Sequence, residues 1–140
     1  MEFSSLNWLA IIAAAIVSFI SGFIWFGPKT FYPVWWKAMG KSDAEQPGTG
    51  QSMPLVFGSI MVGILIQSFV LAIVLNSLDP ASVDAVSGAG VGLLLGIGFV
   101  AATSLSHRLM GGQGFKVWAI EVGNDIINFA LMGAILGAWR

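Results

Sequence analysis

Four apolar runs, at about 6–26, 54–75, 86–106 and 117–139, constrain this chain more than any other feature of it. Each has roughly the 20 residues that a helix needs to cross a hydrocarbon core of ~30 Å. A helix satisfies its own backbone in lipid, whereas an open strand cannot. A membrane β-barrel would alternate apolar and polar residues in strands of ~10, and that pattern is absent. The expected fold is therefore all-α: a four-transmembrane-helix bundle forming a single transmembrane domain over 1–140. Composition points the same way, with only 9% charged residues against about 25% in soluble domains. A soluble chain this short has too much surface to bury 56% apolar residues.

Local signals mark the ends of the runs. Gly27-Pro28 stops the first, Pro54 suits the first turn of the second, and Asp84 is a natural N-cap for the third. Met1-Glu2-Phe3 lacks the basic region of a cleavable leader, so the first run is expected to be retained. Lys29, Lys37 and Lys41 lie in loop 27–53, and Arg108 and Lys116, beside His107, lie in loop 107–116. On the opposite side only Arg140 is basic. The positive-inside bias predicts both loops in the cytoplasm and both termini extracytoplasmic, in a multi-pass protein of the cell (inner) membrane.

After the first run comes Phe31-Tyr32-Pro33-Val34-Trp35-Trp36-Lys37, with aromatics next to a lysine, as in segments at the headgroup level. Trp25, Tyr32, Trp35, Trp36 and Trp118 are the expected interface anchors to the lipid bilayer. The stretch 41–51, with Pro47, Gly48 and Gly50, reads as a flexible link.

Lipid offers little hydrophobic drive between helices, so close packing depends on small residues. Gly88, Gly92 and Gly96 recur every four residues in the third run, with Gly90 and Gly98 on a second row. Ala14, Ser18 and Gly22 make a similar row in the first run, and Gly133 and Gly137 in the fourth. These rows predict tight packing but do not say whether the partner is the same chain or a second copy. The small volume that four helices enclose raises the expectation of a homo-oligomer.

The fourth run carries the main chemical signal. Glu121, Asn124, Asp125 and Asn128 stand at i, i+3, i+4 and i+7, on one helical face. Charges inside a membrane are costly and often mark function. Counted from Trp118 at ~1.5 Å per residue, Glu121 lies about 5 Å deep and can pair with Arg108 or Lys116, while Asp125 lies about 10 Å deep. Ser18, Ser21, Ser59, Thr103 and Ser104 fall in the same half of their runs and are expected to line a vestibule. One reading has Asp125 and Glu121 binding or relaying a proton or small cation, in a transporter or channel subunit. The other makes the stripe a hydrogen-bonded glue between helices or protomers, in a structural or accessory protein without transport.

Other functions find little here. Without cysteine there are no disulfides, thiolate metal sites or thiol nucleophiles. The chain has one histidine, no HExxH helix and no G-x-S-x-G elbow, so no enzyme and no cofactor are expected. His107 sits beside Arg108, which opposes a cation, so no metal site is expected. Gly111-Gly112-Gln113-Gly114-Phe115-Lys116 lacks phosphate-loop spacing and reads as a turn. No basic patch suggests nucleic acid.

Trp25-Phe26-Gly27-Pro28, the aromatic segment with Trp36 and Gly40, the asparagine-bearing last run and Gly137-Ala138-Trp139 together resemble the bacterial membrane proteins called domain of unknown function 1761. The resemblance covers nearly the whole chain. It implies a small four-helix membrane protein and brings no activity, substrate or site.

Overall fold

The computed structural model describes residues 3–48 and 50–140. Met1 and Glu2, part of the stretch on which the expectation of a retained first run rests, and Thr49 of the polar link lie outside the described residues. The helices are α1 (Trp8–Trp25), the short α2 (Tyr32–Ala38), α3 (Met53–Asn76), α4 (Ala85–Leu95), α5 (Ala102–Met110) and α6 (Gly114–Ala138). A π-helical segment, Gly96–Ala101, joins α4 to α5 in one continuous rod. Four helices, with that rod counted as one, are long and apolar enough to cross a membrane. The described residues contain no strand. The protein is an all-helical bundle of the multi-pass membrane type.

The ends form for local reasons. Asn7 caps α1 by accepting the Ala10 N–H, and Pro54 sits in the first turn of α3. Asp84 caps α4 in a capping box, in which its carboxylate accepts the Ser87 N–H at 2.8 Å and the Ser87 hydroxyl accepts the Asp84 N–H. Two boundaries differ from the sequence reading. The third span runs on to Met110 rather than about 106, and the fourth begins at Gly114 rather than about 117. The expected loop 107–116 thus shrinks to 111–113, where Gly112 and then Gly114 take φ values of 80° and 84° that favour glycine. His107 and Arg108 ride on the last turn of α5, and Lys116 on the first turn of α6.

The helices run alternately up and down. At one end the start of α1 meets the ends of α3 and α6: Asn7 Nδ2 donates to the Trp139 carbonyl at 3.3 Å, and Asn76 Nδ2 to Ser5 Oγ at 2.8 Å. Just inside lies the apolar core, where Ala10, Ile11 and Ala14 of α1 pack with Leu71, Ala72 and Leu75 of α3 and Met132 and Leu136 of α6. The alanines let α3 approach closely enough for the buried Ser68 hydroxyl to reach the Ile11 carbonyl at 2.8 Å. Toward its own start α3 presents Met53, Leu55, Ile60 and Val62 outward, and Phe57 keeps contact with Phe19 and Phe23.

The closest packing joins α4 to α6. A methyl group added at Gly88 would overlap the Gly133 carbonyl, and one at Gly92 the Phe129 carbonyl. Gly96 lies against Ile126 and Phe129, and Gly137 against the Asp84 carbonyl. The stripe therefore meets a helix of its own chain. The second row, Gly90 and Gly98, has nothing within 4 Å and plays no part in this contact.

Candidate intramembrane polar site

Because α6 begins at Gly114, Asp125 is the twelfth of its 25 residues and stands near the middle of the span. At 1.5 Å per residue it is about 16 Å from the start of the helix, deeper than the count from Trp118 implies. One helical face carries all four polar groups, yet the fold sends them to different neighbours.

Asn124 and Asn128 are buried and turn toward α1. Asn124 Nδ2 donates to Ser21 Oγ at 3.3 Å, and Asn128 Nδ2 donates to Asn124 Oδ1 at 3.3 Å. Gly22 borders this ladder, and a methyl there would sit in van der Waals contact with Asn124 Oδ1 at 3.4 Å. Glu121 turns instead toward α5, where its Oε2 accepts from Arg108 Nη2 at 2.5 Å. Of the two basic side chains near it in sequence, Arg108 is the partner; Lys116 is exposed. The long third span makes this possible, because the extra turn carries Arg108 back over α6.

Asp125 is left between these arrangements. It is partly buried, and among the described residues no donor or cation pairs with its carboxylate; its charged neighbour is Glu121, one turn away. Three buried side-chain oxygens of α1 and α6, Ser18 Oγ, Asn128 Oδ1 and Glu121 Oε1, also lack hydrogen-bond partners among the described residues, as does Trp35 Nε1 of α2. Helices α1 and α6 run antiparallel, so one turn along each from the Ser21–Asn124 bond brings Ser18 to the height of Asn128. An unsatisfied buried polar group costs about 1–3 kcal/mol, so each of these oxygens calls for a partner.

The remaining expected lining residues do not gather here. Ser59 and Thr103 are exposed, and Ser104 spends its hydroxyl on the Ala101 carbonyl at 3.2 Å. Among the described residues no three of His, Asp and Glu converge as a metal-binding group. A cavity of about 40 Å³ lies at the far end of the bundle, between Asn7, Asn76, Trp139 and Arg140, remote from Asp125.

A family model described as "Protein of unknown function (DUF1761)" matches residues 9–137. The chain belongs to this family. No curated protein and no solved structure matches it. The Arg108–Glu121 pair, the Ser21–Asn124–Asn128 ladder and the glycine contacts of this DUF1761 chain all lie within the matched span.

Four of the six tryptophans of the DUF1761 chain, Trp25, Trp35, Trp36 and Trp118, are tied into the fold at the same end. Trp25 lays its indole over Gly123 and donates to the Ile120 carbonyl at 2.8 Å, bracing α1 against α6 beside the polar ladder. Trp36 is buried and donates to the Ser42 carbonyl, and Tyr32 stacks on it with ring centroids 5.7 Å apart. Phe26 meets Trp35 edge-on at 5.0 Å. Trp118 donates to the Ala101 carbonyl at 2.9 Å, at the end of the π-helical segment. The sequence reading overlooked Gly123, although a glycine inside a helix is itself a packing signal. It also overlooked the π segment, whose wide turns leave no periodic trace in so apolar a stretch.

Proposed function

We propose that this protein is a proton- or cation-linked transporter or channel subunit of the inner membrane, in which Asp125 is the group that takes up the transported charge. One observation carries the reading: among the described residues, a carboxylate near the middle of a span has neither a cation nor a hydrogen-bond donor beside it, while its neighbour Glu121 has Arg108. An unpaired charge in a low-dielectric interior is unfavourable by several kcal/mol, so such a group favours a proton or a cation. Loops 26–52 and 111–113 face the cytoplasm in this reading, by the basic residues they adjoin. A second copy would dock on the exposed apolar faces of α1 and α3, since the Gly88–Gly92–Gly96 row is used within the chain.

The structural reading draws on a different observation, the bond from Asn124 to Ser21 that ties α6 to α1. It accounts for the asparagines and leaves Asp125 unexplained. Reconstitution into liposomes separates the two. With a pH gradient and then monovalent cation gradients, Asp125→Asn is expected to abolish a flux that the native protein shows, with the sizing profile unchanged. Absence of flux from the native protein under every gradient favours the accessory role.

A further inference from the structure

We propose that Asp125, Asn128 and Ser18 bind a dehydrated monovalent alkali cation, sodium or lithium, between α1 and α6. This deepens the preceding reading of Asp125 as the transport group and rests on it. Ser18 is 1% exposed and Asn128 8% exposed, and the side-chain oxygen of each has no hydrogen-bond partner among the described residues. They share a height on antiparallel helices. Asp125 precedes Asn128 by three residues and so lies on the same face of α6. Glu121 Oε1, also buried and unpartnered, lies one turn below Asp125.

The number of waiting acceptors favours a cation over a proton. A proton on Asp125 donates one hydrogen bond and the Ser18 hydroxyl can donate a second, fewer than the oxygens of Asp125, Asn128 and Glu121 that accept. A bare cation draws several oxygens at once, the carboxylate and the neutral groups alike. Donor type agrees: every candidate atom is a hard oxygen, the kind that binds alkali and alkaline-earth ions.

Charge balance selects the valence. Arg108 cancels Glu121, leaving the single negative charge of Asp125. His107 and Lys116 are exposed and do not enter the balance. One monovalent ion brings the cluster to neutrality, whereas a divalent ion would leave a positive charge inside the membrane. Size selection follows from bracing. The Ser21–Asn124 and Trp25–Ile120 bonds hold α1 against α6 on one side of the site, which opposes the expansion that potassium requires.

The test is thermal unfolding of the full-length protein in detergent, followed by tryptophan fluorescence at constant ionic strength. Choline, lithium, sodium and potassium chlorides are compared. Sodium or lithium is expected to raise the midpoint by about 3–6 °C over choline, with potassium giving less. Ser18→Ala, which removes one neutral oxygen and adds no bulk, is expected to reduce that increment to about a third or less, and Asp125→Asn to remove it. Should Asp125→Asn not fold, Ser18→Ala carries the test. Equal midpoints in all four salts, or an undiminished increment in Ser18→Ala, overturn the site. Proton flux without any sodium-specific shift keeps the transport reading and removes this one. A sodium-specific shift lost in Ser18→Ala, with no flux in liposomes, keeps the site and removes the transport reading.

Discussion

Gly88 and Gly133 face each other backbone to backbone, so that a methyl group on either would overlap the carbonyl oxygen of the other. Each glycine lets the partner's carbonyl come within reach of its own Cα–H, a weak contact repeated at Gly92 and Phe129. In lipid, where apolar side chains gain little by leaving the solvent, this approach is what holds α4 on α6. Gly133→Ala or Gly92→Ala is therefore expected to destabilise the bundle by about 1–3 kcal/mol or more. Gly90→Ala and Gly98→Ala, which meet open space, are expected to be neutral or slightly stabilising. Thermal midpoints of the four variants in one detergent check the contrast, and equal losses at Gly90 and Gly92 would contradict it.

Arg108 and Glu121 are both mostly buried, with side-chain exposures of 31% and 20%. Removing the cation alone strands the carboxylate. Arg108→Ala is expected to lower stability by about 1.5–3 kcal/mol, the range for a hydrogen bond to a charged group. Adding Glu121→Gln to it should recover part of the loss. A double-mutant cycle measures the coupling, and strictly additive effects would show that the pair is not coupled.

Trp118 holds the π-helical segment from outside by donating to the Ala101 carbonyl. Phenylalanine keeps the aromatic bulk and loses the donor, so Trp118→Phe is expected to cost about 1 kcal/mol. Amide exchange should rise over 96–101 more than over α4. Unchanged protection there would show that the segment is held by other contacts.

Asp84 gives the protein a pH dependence with a definite sign. The Ser87 backbone N–H, with the Ser87 hydroxyl second, holds the Asp84 carboxyl below its usual value of 3.8. A folded-state pKa below the unfolded one means that the cap's contribution is fully present above the unfolded value. It is then lost as pH falls through the folded one. The native protein should be more stable than Asp84→Ala at neutral pH, with the gap closing in acid below pH 3.8. Parallel unfolding curves of the two proteins across that range test it.

The absence of cysteine makes the orientation simple to read. Ser42→Cys, in the loop after α2, is expected to react with an impermeant maleimide only after the cytoplasmic side is opened. Leu78→Cys, between α3 and α4, is expected to react in intact cells. Labelling in the reverse pattern would invert the proposed topology.

The features legible in the sequence are those written locally. The four spans are continuous apolar runs, and lipid imposes helix on any such run. Pro54 and Asp84 announce the starts of α3 and α4 through chemistry within one turn. The shared face of Glu121, Asn124, Asp125 and Asn128 follows from helical periodicity alone. What periodicity cannot supply is the phase of each helix against its neighbours. Only the tertiary structure decided that Gly88 packs while Gly90 looks outward, and that Arg108 rather than Lys116 answers Glu121. It alone turned Asn124 and Asn128 to α1 and left Asp125 without a partner. Phase depends on which backbones can approach closely, and that is a property of helix pairs, which no single stretch of sequence contains.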